Sequence, residues 1–363
     1  TALIEVTGKC NLKCPICYFG RFEQPDITLD DYSNRLQTAL RTENGSLDVL
    51  QISGGEPTCH AELIEMIALT LKENVRRILI NTNGLNILTD QELFSFITSH
   101  RERLEIYLQF DGFDPVLNRE LRGVDLLAKK LELIDRLNAA GVKTCLAVTV
   151  TETTLKQFSA IIDLAVNTEH ISGITFQRFT LTGSAELLEP HSCDRLKQVL
   201  QEDILQAVHN TGYLRYEHIV PLPCSHENCT SIAFLFCTDG KTYSLGEFIN
   251  LSEHQHAIRD RIGFDSKVLE YMKQQISNIS SCCSCLTRNL PVVRKLEDFA
   301  KGNASSYKNM KMLRIIVKNF MDPSTFDAER AKKCCVGVSA AGNRIIPFCV
   351  NNIFSGKPGK YAR

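Results

Sequence analysis

The sequence predicts an α/β fold: a partial (β/α)6 barrel over residues 1–215, followed by a cysteine-rich C-terminal module over residues 216–363. Short aliphatic segments alternate with amphipathic segments of helical period in the first half, and cysteines crowd the second. The 363 residues, 44% of them hydrophobic, suffice for one sizeable core and a smaller appended module. A doubly wound open sheet is the alternative fold.

Each predicted element follows from its local pattern. The strand candidates are rich in β-branched or aliphatic residues and lie at residues 3–6, 49–53, 77–81, 105–110, 144–150 and 173–179. The helix candidates place apolar residues at three- and four-residue steps and lie at residues 29–40, 61–73, 90–99, 126–140 and 154–167. Thr28-x-x-Asp31 and Thr89-x-x-Glu92 are the predicted start signals of two helices. Such alternation predicts parallel strands joined by right-handed crossovers, with ligands at the carboxyl ends of the strands.

Three cysteines, Cys10, Cys14 and Cys17, follow the first strand candidate at C-x3-C-x2-C spacing. Three thiolates on one loop can bind three irons of a 4Fe-4S cluster and leave the fourth iron open to another ligand. A zinc knuckle is the alternative, but zinc prefers four ligands in paired spacings, and the next Cys and His are Cys59 and His60. The spacing therefore favours an iron-sulfur cluster.

A second motif, Gly54, Gly55, Glu56 and Pro57, follows the second strand candidate. Glycines let backbone groups approach a ligand closely, and Glu56 supplies a negative charge for an ammonium group. Alone, the segment is compatible with an ordinary turn. With the cysteine loop one βα unit earlier, the sequence resembles the radical SAM enzymes.

That resemblance implies the cofactors and the chemistry. It implies that the segment from Gly54 to Pro57 binds the amino group of S-adenosyl-L-methionine (SAM). It also implies that an electron from a donor such as flavodoxin or ferredoxin cleaves SAM reductively, and that the resulting 5′-deoxyadenosyl radical removes hydrogen from an unactivated carbon. No catalytic acid or base is assignable from the sequence.

Polar residues also follow the later strand candidates. These strand ends share one rim of the predicted barrel with the cysteine loop. Side chains at the rim are expected to contact the ribose, carboxylate or adenine of SAM, or the substrate. They are Asn83, Gln109, Asp111, Thr149 and Arg178. Each one singly is as readily explained as a turn or solvated residue. Their recurrence at the ends of successive strands favours a shared binding rim.

The net charge and the apolar segments of the chain restrict the classes of binding partner and the cellular location. A formal net charge of −1 gives no global attraction to nucleic acid or to anionic membranes. We find neither a signal peptide nor an apolar run of the roughly 20 residues that span a bilayer. The prediction is a cytoplasmic protein, with peripheral membrane contact if its substrate is a lipid. Because the chain starts at Thr1 and not at Met, a preceding segment is expected to have been removed or left out.

Fifteen cysteines are too many for thiol packing alone, and a reducing compartment disfavours disulfides, so further metal clusters are predicted. The predicted C-terminal ligands are Cys224, Cys229, Cys282, Cys283, Cys285, Cys334, Cys335 and Cys349. Two additional 4Fe-4S clusters need about eight cysteines. Cys237 is expected to be a strand residue beside a hairpin turn, and Cys59, Cys145 and Cys193 to be buried apolar residues. His226 is either a ligand or, preferably, a hydrogen-bonding neighbour of one.

Three segments resemble one group of radical SAM enzymes, the dihydropterin methyltransferases and tetraether lipid synthase. They are residues 107–112, residues 223–226, and residues 344–349 with Cys334 and Cys335 upstream. This resemblance implies auxiliary 4Fe-4S clusters and hydrogen abstraction followed by C-C bond formation, either in lipid-chain coupling or in carbon methylation of a pterin. A peptide-maturing radical SAM enzyme is the alternative enzyme. The non-enzymatic alternatives are an iron-sulfur electron-transfer protein, which has no need of an ammonium-binding Glu56, and a regulatory zinc protein.

Overall fold

The computed structural model describes residues 1–20, 23–188, 196–238, 240–248, 250–253 and 311–354. Cys193, Cys282, Cys283 and Cys285 lie outside these residues, so the predictions made for them stay predictions. None of the described helices is both long and apolar enough to cross a membrane.

The described strands form one sheet. They are β1 (Ala2–Thr7), β2 (Leu47–Gly54), β3 (Val75–Thr82), β4 (Leu104–Gln109), β5 (Thr144–Val150), β6 (Ile171–Arg178), β7 (Val220–Pro221), β8 (Thr230–Thr238), β9 (Lys241–Ser244), β10 (Lys311–Lys318), β11 (Gly337–Ala340) and β12 (Arg344–Pro347). The order across the sheet is β12-β11-β1-β2-β3-β4-β5-β6-β10-β8-β7, with β9 paired to β8.

Helices fill the connections between the strands. The described α-helices are α1 (Leu29–Thr42), α2 (Leu63–Leu71), α3 (Leu85–Thr89), α4 (Gln91–Ser99), α5 (Pro115–Arg122), α6 (Leu127–Ala139), α7 (Glu152–Leu155), α8 (Phe158–Asn167), α9 (Gln201–Asn210), α10 (Ala328–Lys332) and α11 (Phe348–Phe354). Short 3-10 helices lie at Pro57–Cys59, Gly183–Leu187, Tyr216–His218 and Leu245–Glu247.

The first six strands confirm the predicted α/β fold. Strands β1 to β6 are parallel and adjacent in chain order. A doubly wound sheet reverses direction at a switch point in its strand order, so the alternative fold was wrong. Sequential right-handed crossovers place the helices on one face of the sheet. There the strands bury aliphatic side chains such as Ile52, Ile80 and Ile106 in the main core.

The opposite face of the sheet curves around one cavity of about 240 Å³. Alternate residues of seven strands line it: Leu3, Gln51, Ser53, Leu79, Asn81, Tyr107, Gln109, Cys145, Ala147, Thr149, Thr175, Gln177, Arg314, Ile316 and Lys318. Since a single cavity is bounded by the same face of β1 to β6 and β10, the sheet is strongly curved. This curvature is that of a partial barrel.

The chain beyond residue 215 extends both edges of this sheet. Strand β10 pairs in parallel with β6 and antiparallel with β8. At the other edge, β11 pairs in parallel with β1 and antiparallel with β12. The cysteine-rich part of the chain therefore contributes walls to the cavity.

Several predicted boundaries need correction. Thr28 caps α1 as predicted, its side chain accepting a hydrogen bond from the Asp31 N–H. The predicted capping by Thr89 was wrong, because Asp90 is the N-cap of α4 and accepts from the Leu93 N–H. The predicted helix at residues 154–167 is divided into α7 and α8, and the sequence analysis missed α3 and α5.

A buried carboxylate connects four strands of the sheet, β3, β4, β6 and β10. The Glu105 side chain, on β4, is 0% exposed and pairs with Arg77 at 3.1 Å and with Arg314 of β10. Ser172 also donates to it at 2.5 Å. Burial acts to raise the pKa of Glu105, but the two arginines outweigh burial and hold the pKa below its usual value of 4.5.

We predict that Glu105→Gln lowers the free energy of unfolding by about 3 kcal/mol, because it leaves two arginines without their buried anion. Since the folded pKa is lowered, the carboxylate stabilises the fold above about pH 4.5, and this contribution is lost as the pH falls. Anaerobic urea unfolding at several pH values measures both effects. Glu102→Gln, on the exposed turn before β4, is the control and is expected to change neither.

Candidate active site

The cysteine loop lies directly after β1, and Cys10, Cys14 and Cys17 all line the cavity. The loop is turned by a hydrogen bond from the Cys17 N–H to the Cys14 carbonyl at 3.2 Å. Its end packs against Gly183, where a Cβ atom would lie 2.3 Å from the Cys17 carbonyl oxygen. The Ser184 N–H donates to that same oxygen at 2.8 Å. The loop is thereby fixed with its thiols toward the cavity.

The Gly-Gly-Glu segment runs against the chain that leads into this loop. The Gly55 N–H donates to the Thr7 carbonyl and the Glu56 N–H donates to the Lys9 carbonyl, both at 2.8 Å. Cβ atoms at Gly54 and Gly55 would lie 2.4 Å from the Thr7 oxygen and 2.3 Å from the Lys9 oxygen. The glycines are therefore required for the close approach of two backbone segments, which brings both motifs to one wall of the cavity.

Glu56 is more fully bonded than the sequence analysis expected. Its carboxylate is buried and accepts hydrogen bonds from the Thr58 N–H and hydroxyl, the Thr82 hydroxyl and the Asn83 N–H, at 2.7 to 3.2 Å. A carboxylate has about four lone-pair sites. Glu56 thus ties the ends of β2 and β3 together, and an ammonium group must share its oxygens with these donors.

Asp111 does not face the cavity as a free anion. Its fully buried carboxylate accepts from Arg122 Nε at 2.7 Å and from Arg122 Nη2 at 2.8 Å. It also accepts from the Thr149 N–H at 3.0 Å and from Gln109 Nε2. Burial acts to raise the pKa of Asp111, but Arg122 outweighs burial and holds the pKa below its usual value. Asp111 therefore anchors Arg122, and its predicted contact with SAM or the substrate stays a prediction.

Arg122 is a site residue that the sequence analysis missed. It lies at the end of α5, lines the cavity, and hydrogen-bonds Cys14 as well as Asp111. Its Nη2 also donates to the Thr149 hydroxyl at 2.8 Å. The signal was available in the sequence, because Asp114 before Pro115 is a typical helix start.

Lys130 is a second missed residue. It lies on α6 and is 4% exposed, and its Nζ donates to the Asn83 carbonyl and to Gln109 Oε1, the latter at 3.2 Å. Burial lowers the pKa of Lys130 to about 7. Lys130 shares the apolar face of this helix with Leu126, Leu133 and Ile134, and this pattern in the sequence would have predicted its burial.

The remaining rim residues lie at the cavity. Asn83 donates to Asn11 Oδ1 in the cysteine loop at 2.6 Å, which links the loop to β3. Gln109, Thr149 and Arg178 line the cavity. Arg178 uses Nε on the Val199 carbonyl at 2.8 Å. The structure thus brings all five predicted rim residues to one end of the sheet, four of them on the cavity and Asp111 behind it.

The donor set of the cysteine loop fits an iron-sulfur cluster. Nowhere in the described parts of the chain do three His, Cys, Asp or Glu side chains converge as ligands of one metal ion. A 4Fe-4S cluster binds each thiolate at a different iron, so its ligands lie farther apart. Burial raises the pKa of the Cys10 thiol to about 12. Metal binding at this loop therefore releases protons.

C-terminal cysteines meet near the same cavity. Cys224 hydrogen-bonds Cys335. Cys229 accepts from Arg330 Nε at 3.4 Å. Cys349 lines the cavity, and its sulfur accepts from the Met321 N–H at 3.5 Å and lies near Cys334.

The other predicted cysteines and His226 have simpler surroundings. Cys237 lies in β8 opposite Thr242 of β9, as expected of a strand residue. Cys145 is buried as predicted. Cys59 is half-buried and accepts from Asn86, so the expectation of full burial was wrong there. His226 Nδ1 accepts from the Asn228 N–H at 3.2 Å.

Comparison with known proteins supports this reading of the site. Residues 4–165 match the family model of the radical SAM superfamily. The chain carries a radical SAM domain and is a radical SAM enzyme. The matched range contains the three cysteines of the loop and the Gly-Gly-Glu-Pro segment. Membership of this family implies a 4Fe-4S cluster and SAM.

Individual relatives and solved structures are similar to this chain over different shares of its length. The enzyme is 25% identical to the 7,8-dihydro-6-hydroxymethylpterin dimethyltransferase of Methanocaldococcus jannaschii, over 97% of this chain and 76% of the relative. It is 27% identical to a probable GTP 3′,8-cyclase of Sulfolobus acidocaldarius, over 39% of this chain and 43% of the relative. Among solved structures, Streptococcus suis SuiB bound to precursor peptide SuiA has a TM-score of 0.49 and 20% identity, covering 58% of this chain and 45% of SuiB.

We predict that Arg122→Gln lowers the iron retained per chain after anaerobic reconstitution, because it frees the Cys14 loop and leaves Asp111 as an unpaired buried anion. Loss of one partner of a buried pair costs about 3–5 kcal/mol, so the melting temperature is also expected to fall. Arg119→Gln is the matched control on the same helix, since Arg119 is 55% exposed and lies 3.9 Å from Asp125. Equal iron content in both variants would contradict this role of Arg122.

Proposed function

We propose that this enzyme methylates a carbon of a dihydropterin, forming a C-C bond after radical hydrogen abstraction. The observation that carries the proposal is the single cavity bounded by Cys10, Cys14 and Cys17, by Gly54 to Glu56, and by polar side chains of the sheet. The identity with the pterin dimethyltransferase over 97% of the chain supports this substrate class.

The size of the cavity favours a compact heterocycle over lipid chains. Side-chain amides face the cavity from four strands, at Gln51, Asn81, Gln109 and Gln177. Amides pair with ring N–H and carbonyl groups, and two of these four already hydrogen-bond within the protein: Gln109 to Asp111 and Lys130, and Gln177 to Tyr107. Coupling of two lipid chains requires a long apolar tunnel, and a cavity of about 240 Å³ suits one bicyclic ring better than two such chains. Lipid-chain coupling is therefore the second candidate.

Cys10, Cys14 and Cys17 would hold a 4Fe-4S cluster, and that cluster would supply the electron for reductive cleavage of SAM and so the radical chemistry of hydrogen abstraction. The protein's own residues place the reactants. Gly54, Gly55 and Glu56 border the position proposed for the methionine end of SAM, and Asn83, Gln109 and Thr149 border the rest. The curved sheet shields the radical from water.

The C-terminal cysteines are proposed to bind auxiliary 4Fe-4S clusters. Cys224, Cys229, Cys334, Cys335 and Cys349 supply ligands in the described part of the chain, and Cys282, Cys283 and Cys285 are proposed to complete the sets. Since Cys349 lines the cavity, it would hold its cluster at the wall of the proposed substrate site. An electron donor such as flavodoxin or ferredoxin and a cytoplasmic location, with at most peripheral membrane contact, complete the proposal.

The substrate proposal predicts a mass change. We expect the reconstituted enzyme, given SAM, a strong reductant and 7,8-dihydro-6-hydroxymethylpterin under anaerobic conditions, to release 5′-deoxyadenosine and a methylated pterin detected by mass spectrometry. Parallel reactions contain an archaeal-type dialkyl glycerol diether or a cysteine-containing peptide in place of the pterin. Product from the diether or the peptide, with none from the pterin, would overturn the proposal.

The cluster proposal predicts an iron count. We expect about twelve irons per chain in the reconstituted protein and about eight in the variant with Cys10, Cys14 and Cys17 all replaced by Ala. Cys59→Ala and Cys237→Ala are the control substitutions and are expected to lose no iron. About four irons in the native protein and none in the triple variant would indicate a single cluster and would contradict the proposed auxiliary clusters.

A further inference from the structure

Lys318, the last residue of β10, is a cation on the cavity wall without a fixed partner. It forms neither a hydrogen bond nor an ion pair with another residue in the described part of the chain. The other basic side chains that line the cavity are bonded to a carboxylate or to a backbone carbonyl: Arg122, Arg178 and Arg314. An ammonium group has three donors and loses hydration when it is partly buried. A bound molecule that supplies an acceptor is therefore favoured beside Lys318.

The strand pattern directs the Lys318 side chain to the cavity. Ile315 and Val317 of β10 pack in the main core, whereas Arg314, Ile316 and Lys318 line the cavity. Side chains of a strand alternate between its two faces, so Lys318 belongs to the inner face. Lys318 is half-buried, and part of its side chain therefore stays accessible to a ligand.

An aromatic wall, formed by Tyr18, Phe320 and Phe348, lines the cavity beside Lys318. The ring centroid of Phe348 lies 4.9 Å from that of Phe320 and 5.6 Å from that of Tyr18. Tyr18 and Phe320 are half-buried, so a bound molecule can reach them. Because Tyr18 follows Cys17 directly and Phe320 lies two residues after Lys318, the wall extends from the cysteine loop to the ammonium group. A planar conjugated ring can stack on such a surface.

We propose that Lys318 and the aromatic wall bind the pterin ring of the substrate. The ring stacks on the wall, and the Lys318 ammonium group donates a hydrogen bond to the carbonyl oxygen at position 4 of the ring. This inference rests on the proposed function and refines it. The carbonyl oxygen is the strongest acceptor of the ring, and hydrogen bonds from a charged donor are the stronger ones. A saturated hydrocarbon chain has neither this acceptor nor a π surface.

Lys318 has one competing role that the experiment has to separate. It lies near the thiols of Cys334 and Cys335, and its positive charge acts to lower the pKa of both. A cluster bound by these cysteines would attract the same ammonium group. Iron content is therefore measured together with ligand binding.

The test is a comparison of two ligands that differ at position 4. Calorimetry measures binding of 7,8-dihydro-6-hydroxymethylpterin, and of its analogue with an amino group in place of that carbonyl, to the anaerobically reconstituted protein. The native protein is expected to bind the pterin at least tenfold more tightly than the analogue. Lys318→Met is expected to bind the two ligands within about threefold of each other, whereas Lys318→Arg keeps a donor and the preference. Lys332→Met is the control on α10, since Lys332 is 68% exposed, and it is expected to bind like the native protein.

The aromatic wall has its own variant. Phe320→Leu is expected to weaken binding of both ligands about fivefold, because stacking is lost, and to keep the preference for the carbonyl. SAM affinity, measured in parallel, and iron content are expected to stay unchanged in the Lys318 and Phe320 variants. Native-like pterin affinity in Phe320→Leu would overturn the stacking.

Other outcomes would overturn the role of Lys318. Equal affinity of the native protein for the two ligands, or an unchanged preference in Lys318→Met, would overturn it and leave the proposed function standing. Weaker SAM binding in Lys318→Met with an unchanged preference would assign the ammonium group to SAM. A lower iron content than in Lys332→Met, again with an unchanged preference, would assign it to an auxiliary cluster. A native protein that binds no dihydropterin would overturn the proposed function together with the inference.

Discussion

The close approach of two backbone segments determines the rest of the site. The chain at the end of β2 runs along the chain from Thr7 to Lys9. The Gly55 and Glu56 N–H groups donate to the Thr7 and Lys9 carbonyls at 2.8 Å, and there is no room for a side chain at Gly54 or Gly55. This contact places the Gly-Gly-Glu segment beside the loop of Cys10, Cys14 and Cys17. Two motifs separated by about 40 residues thereby border the same cavity. Any larger residue at these glycines would push the proposed cofactor-binding segment away from the loop.

Buried charge pairs then hold the walls at fixed positions. Asp111 and Arg122 join α5 to the end of β5 and to the cysteine loop, and Glu105 joins β4 to β10 through Arg314. Buried ion pairs add little net stability, but breaking one leaves a costly unpaired charge. These pairs therefore specify the geometry of the cavity more than they stabilise the fold. The C-terminal residues share in this arrangement, since β10 and α11 supply part of the wall.

Local patterns were enough to predict the central fold. The aliphatic segments at 49–53 and 144–150 gave strands β2 and β5, and Thr28 gave the start of α1, because these features depend on neighbouring residues. Strand β10 was missed although its segment KMLRIIVK is as aliphatic as the predicted strands, and its pairing with β6, more than 130 positions away, has no local signal. For the site, the motif residues were found from spacing. Arg122 and the full bonding of Glu56 were missed, because both depend on side chains brought together only by the fold.

Electron paramagnetic resonance of the reduced protein tests the central claim most directly: that the loop of Cys10, Cys14 and Cys17 binds a 4Fe-4S cluster with an iron open to SAM. Spectra are recorded with and without SAM, for the native chain and for the variant with all three cysteines replaced by Ala. The account predicts a 4Fe-4S signal whose g values shift when SAM is added, and loss of that SAM-sensitive signal in the variant. A signal that SAM leaves unchanged in the native protein, or a SAM-sensitive signal that persists in the variant, would contradict it.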